Sequence, residues 1–158
     1  MELTRKQAFE LNAVLKNAKF DYPISNRFRY MSSFNIKATD AEITATNEAF
    51  PVPEEWNKFV ELQRAVYAKH DIKTEADFND KPDEEKQQIG KELEQVKTDN
   101  KDLVDAIDKY NFEKNEFMGE TIELELRKCK IDDMPIISKE NVYNDREIFE
   151  VLSLIIED

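Results

Sequence analysis

The residues able to do chemistry are few and far apart. His70 is the only histidine and Cys129 the only cysteine, 59 positions apart. Together they could serve as a nucleophile and its base. Nothing near Cys129 in the sequence would activate it, so the plainer reading is an ordinary thiol. His70 falls where a helix is expected to end, and an imidazole there suits the helix dipole. One histidine and one cysteine cannot build a zinc site of the usual kind. The run Asp77-Phe78-Asn79 opens like a calcium loop. It fails because Lys81 takes the third ligand position and Pro82 the position that needs glycine. Gly90 and Gly119 are the only glycines, too few and too distant for a loop that cradles phosphates. Asp132-Asp133 could be half of a carboxylate site, but adjacent acids are more commonly a turn. No catalytic residues, no metal ligands and no cofactor are expected, and the chain is read as not an enzyme.

Two charge patterns point instead to binding. Asp99, Asp102, Asp105 and Asp108 recur every third residue and so spiral slowly round a helix. Glu84, Glu85, Glu92, Glu94, Glu113, Glu116 and Glu120 extend the acidic surface. Carboxylates spread along a rod can imitate duplex phosphates; the plainer alternative is a solvated helix face. Lys16, Lys19, Phe20, Tyr22, Arg27, Phe28, Arg29 and Tyr30 interleave basic and aromatic groups. That run could stack on nucleic acid, or dock against the acidic body of the same or another copy. Net charge is −12, but residues 1–37 hold seven basic against three acidic side chains, a local +4 that leaves −16 for the rest. An acidic body disfavours direct nucleic-acid binding, except through that basic N-terminal segment, and favours a basic partner.

These residues must be positioned by a chain of 158 residues that is 40% apolar, enough for one domain with a real core. The longest apolar stretch, Val151 to Ile156, is far short of the ~20 residues a membrane span needs. No secretory leader is expected. A lone cysteine fits a reducing compartment, so the cytoplasm is the expected location.

Thr4 and Gln7 form the pattern of a capping box, and Ala8, Leu11, Leu15 and Ala18 share a face, predicting a helix from about Arg5 to Ala18. Ser25 reads as a second cap. Phe28, Met31, Phe34, Ala38, Ala41 and Ala45 then keep a three-four rhythm, predicting a helix whose alanine seam admits a close neighbour. A strand over 34–46 is the competing reading. Pro53 suits a helix start, with Trp56, Phe59, Gln63, Val66 and Tyr67 inward, up to about His70. Asp71 to Lys81 reads as a loop. Ile89, Leu93, Val96, Leu103, Ile107 and Tyr110 form the clearest ladder in the chain, with a missing rung at Asn100. They predict one long acidic helix from about Pro82 to Tyr110. Ile122, Leu124 and Leu126 alternate with charged residues, predicting a strand that pairs with Ile131–Ile137 through a turn at Asp132-Asp133. Asp145 is the expected cap of a last helix carrying Ile148, Phe149, Leu152, Ile155 and Ile156 inward.

The layout resembles an uncharacterised family of small proteins encoded by bacteriophages and prophages. The matching features are the Leu3, Leu11, Leu15 helix; a helix with Tyr30, Asn35 and Glu42; Phe59, Arg64 and Tyr67; an acidic helical middle; and an alternating strand before Leu152-Ser153-Leu154-Ile155-Ile156-Glu157. The resemblance implies a phage origin and no known activity.

The expected fold is α+β and mostly α: a helical hairpin or bundle with a long acidic helix and a small C-terminal antiparallel sheet. A single domain is expected, with a helical part over about 4–118 and a strand-plus-helix part over about 120–158. The expected function is a phage-type accessory or structural protein acting through protein–protein contacts, with a protein partner or by self-association, in the host cytoplasm or on the virion. The alternative is an acidic nucleic-acid mimic that inhibits a host enzyme. Candidate interaction residues are Trp56, Asp99, Asp102, Val104, Asp105, Asp108, Phe112 and Phe117.

Overall fold

The computed structural model describes residues 1–142 and 144–157. Among them the fold is mostly α, with seven α-helices and one two-stranded antiparallel sheet. Among the described residues no helix is long and apolar enough to cross a membrane. The chain divides into two compact units, Met1–Phe50 with Asn115–Asp158, and Pro51–Lys114. The first unit draws on both ends of the chain, and the second is one continuous stretch.

The first unit opens with β1 (Glu2–Thr4) and α1 (Arg5–Asn17). Thr4 and Gln7 make the expected capping box, each side chain bonding the other's backbone N–H. α2 (Asn26–Ala49) starts at the Ser25 hydroxyl, which accepts from the Phe28 N–H, and it is helical across 34–46. Its buried seam differs from the alanine seam. Phe28, Met31, Asn35, Thr39 and Thr46 are buried, while Ala41 and Ala45 face water. Polar groups can hold that seam because each has a partner. Asn12 on α1 donates to the Thr39 hydroxyl (2.8 Å) and to Asp40 (2.9 Å). These bonds remove the penalty that unpaired buried amides and hydroxyls carry.

The second unit contains α3 (Glu54–Lys69), the short α4 (Glu75–Asn79), α5 (Asp83–Asp99) and most of α6 (Lys101–Gly119). α3 packs on α5. Two corrections fall here. The segment 71–81, read as a loop, carries α4 because Thr74 and Asp77 form a capping box. The long acidic helix from Pro82 is two helices. At Asn100 the backbone leaves helical values (φ −122°, ψ 45°), and the Asn100 side chain donates back to the Val96 carbonyl. Its own carbonyl accepts from Leu103 and Val104 to begin α6. An asparagine that can bond its own local backbone competes with the helix ladder, and here it stands where the apolar stripe offers no packing against that.

The first unit resumes with β2 (Thr121–Glu123), which pairs antiparallel with β1, Leu3 opposite Ile122. The strand does not pair with Ile131–Ile137 as expected. Ile131–Asp133 is a 3₁₀ turn, and Ile137 bridges Phe20. The expected alternation does hold, with Ile122, Leu124 and Leu126 half-buried and Glu123, Glu125 and Arg127 exposed. Beyond β2, Asn35 takes the place of a partner strand. The Arg127 N–H donates to its Oδ1 (2.8 Å) and its Nδ2 donates to the Arg127 carbonyl (2.9 Å). α7 (Asp145–Leu152) is capped by Asn144 rather than Asp145. Its Ile148 and Leu152, with Ile155 beyond, join Leu11, Val14, Leu15, Phe28, Met31 and Cys129 in one core. Phe149, expected inward, is exposed because it lies one residue off that face.

Candidate interaction surface

α6 sorts its residues by face. Leu103, Ile107 and Tyr110 are half-buried, as the ladder predicts. Asp105, Asp108 and Phe112, at i, i+3 and i+7, share the opposite face. All three are exposed, and the Phe112 ring is 68% exposed. Asp102 lies beside them, also exposed. Among the described residues no cation or donor reaches the carboxylates of Asp102, Asp105 or Asp108. The structure therefore brings part of the predicted set together as an aromatic ring between unpaired acids.

The other predicted residues are placed differently. Asp99 ends α5, across the break at Asn100, and accepts from the Gln95 amide. Val104 is half-buried. Trp56, the least exposed of the large apolar residues on the surface, meets Tyr110 edge to face at 6.4 Å. Phe117 is half-buried in the first unit, with the Arg5 guanidinium 3.8 Å above its ring and Phe50 at 4.7 Å. Arg5 also pairs with Glu42 and Glu120. Phe117 is thus a structural anchor, and Phe112 carries the exposed aromatic surface on α6.

Sequence reasoning missed an open groove of about 550 Å³ in the second unit. α3 supplies Arg64 and Tyr67; Ile72 and Lys73 follow; Thr74, Glu75 and Phe78 come from the start of α4 and its body. Among the described residues Arg64 is the arginine with no carboxylate, aromatic face or acceptor against its guanidinium. Lys73 has no ion pair within 4 Å among the described residues, but its charge acts on Asp77, whose carboxylate also accepts from the Lys73 backbone N–H. Those backbone N–H groups of Lys73 and Thr74 hold the Asp77 carboxyl below its usual range. The groove was hidden because it depends on α4, which polar composition disguised as loop. Thr74 and Asp77, at capping-box spacing, were the available signal.

The remaining chemical groups are engaged in the fold. His70 caps α3, with Nδ1 3.4 Å from Glu85 and Nε2 3.4 Å from Glu92. The second of these is an ion-pair distance without hydrogen-bond geometry. Glu92 is pulled down to about 2 by the Gln88 amide first and the Lys69 ammonium next. Cys129 is fully buried; burial first, then the charge of Asp133, pushes its thiol up. That is the inert setting of a packed thiol. Cys129 and His70 fall in different units. Asp133 pairs with Arg27, which also reaches Glu157. The basic–aromatic run is largely consumed inside the first unit: Lys16 pairs with Asp40, Lys19 with Glu140, and Phe20 packs on buried Phe28. Among the described residues no three carboxylate, histidine or cysteine groups converge as a metal site would require.

Compared with known proteins, the chain matches no family model, no curated sequence and no solved structure.

Proposed function

We propose that this chain is a non-catalytic protein-binding module, of the kind phages use as accessory or structural proteins, acting in a host cytoplasm or on a virion. Phe112 carries the reading. Full burial of a phenylalanine contributes about 1.5–3 kcal/mol, and a ring left 68% exposed gains little of that from its own fold. Aromatic anchors of this kind concentrate binding energy at protein interfaces. Asp105 and Asp108 beside it favour a partner with an apolar pocket rimmed by lysine or arginine. The test is a photo-cross-linking amino acid placed at position 112 in the full chain, with adducts identified by mass spectrometry. Protein adducts concentrated at 112, and lost when the probe sits at an exposed control such as Lys91, are expected. Adducts no more frequent at 112 than at the control overturn the proposal.

The second reading is an acidic inhibitor that occupies the nucleic-acid site of a host enzyme. It is favoured by Asp102, Asp105 and Asp108, three exposed carboxylates that lack partners among the described residues and step about 4.5 Å along α6. The two readings part on which change matters. A mimic loses affinity steeply with salt and when these aspartates become asparagine. An aromatic-anchored module loses most when Phe112 becomes alanine.

A further inference from the structure

The second unit carries two surfaces that complement each other. One is the α6 face, with Phe112 exposed between the carboxylates of Asp105 and Asp108, which are unpaired among the described residues. The other is the α3–α4 groove of about 550 Å³, where Arg64, unpaired among the described residues, and Lys73, whose charge also acts on Asp77, border Tyr67, Ile72 and Phe78. An unpaired arginine is a strong feature in a chain of net charge −12, where carboxylates outnumber cations 35 to 23. The guanidinium presents a planar fork suited to carboxylates. Glu75 also borders the groove and Asp77 lies beside Lys73, so the positive charge open to a partner is chiefly that of Arg64, the sign opposite to the α6 face.

We infer that the groove receives the Asp105–Asp108–Phe112 face of a second copy of this chain. This rests on the reading of Phe112 as an interface anchor and names its partner. The ring enters among Tyr67, Ile72 and Phe78 while the two carboxylates meet Arg64 and Lys73. Both halves of the contact then complement one another, apolar surface leaving water and the α6 carboxylates gaining the Arg64 guanidinium and the Lys73 ammonium. The thin core of the second unit supports the docking of further apolar surface. Val66 and Ile89 are the apolar residues buried there, while Phe59, Leu62, Tyr67, Leu93 and Ile107 are half-buried. Face and groove are different surfaces, so the contact is heterologous. Copies add head to tail, into a ring if the rotation closes and an open chain if it does not.

Sedimentation velocity on the full chain tests this, over roughly 10 µM to 1 mM, a range that captures weak association. The wild type is expected to grow in mass with concentration, and to do so less at 1 M salt, where the Debye length is about 3 Å. A groove variant, Arg64→Glu with Lys73→Glu, and a face variant, Phe112→Ala with Asp105→Asn and Asp108→Asn, should each associate at least ~10-fold more weakly. Circular dichroism confirms that each is folded; the milder Arg64→Gln and Phe112→Ser serve if one is not. Mixed together, the two variants should form a 1:1 complex, because each keeps the surface the other has lost. A wild type that stays monomeric, variants that assemble like the wild type, or a mixture that does not pair would overturn the inference. A monomer whose position 112 still cross-links to another protein removes the self-docking and leaves the protein-binding reading standing. A monomer without such adducts removes both.

Discussion

Replacing Asn35 by alanine should destabilise the first unit by about 2–4 kcal/mol. Asn35 is fully buried and spans from α2 to the extended chain at Arg127 through two hydrogen bonds, 2.8 and 2.9 Å. Each such bond contributes about 1 kcal/mol net, and a backbone group left unpaired adds ~1–3 kcal/mol. Arg127 is exposed, so water can reach part of its backbone and the lower half of that penalty applies. The rest is the cavity left by the amide. Asn35→Asp is the sharper control. It keeps the acceptor for the Arg127 N–H, loses the donor to the carbonyl and adds a buried charge, so it should cost at least as much. Native-state hydrogen exchange of the Arg127 amide and of the buried α2 amides reads this out. By the factor of ten per 1.4 kcal/mol, exchange should accelerate roughly 30- to 700-fold in the alanine variant. Exchange at Arg127 within threefold of wild type would refute the reasoning, since solvent would then be replacing Asn35 without loss.

Three further outcomes are expected. Gly90→Ala should stabilise the second unit by about 1 kcal/mol, visible as a raised urea midpoint, because Gly90 is inside α5 and an added methyl meets nothing within 4 Å. Glu92 has a folded pKa of about 2 against 4.5 ordinarily, so its contribution to stability is present above pH 4.5 and lost as pH falls towards 2. Glu92→Gln should flatten that part of the acid unfolding curve, and an unchanged curve would refute the assignment. Cys129, buried with its thiol raised, should react with a thiol reagent at pH 8 orders of magnitude more slowly when folded than in urea. Equal rates would show that the burial is wrong.

Local physics is what the sequence alone determined. The Thr4–Gln7 box, the Ser25 cap and the apolar periods of α1, α3 and α7 fix helices through contacts a few residues apart, which any reader of the chain can count. Asp105, Asp108 and Phe112 were legible as candidates because aspartates at every third residue, and an aromatic off the apolar ladder, are visible in the spacing itself. Two local signals outweigh the spacing around them: Asn100 ends a helix as well as interrupting the ladder, and Thr74 with Asp77 caps a short helix inside polar surroundings. The tertiary structure alone decided pairings between distant residues. β2 finds β1 across more than a hundred positions, Arg127 finds Asn35, and Arg27 finds Asp133 and Glu157. It also decided that Phe117 would be covered by Arg5 and Phe50 while Phe112 stayed bare, though both are aromatics five residues apart on one helix. Periodicity assigns a side chain to a helix face, but whether that face is covered depends on what the rest of the chain brings against it.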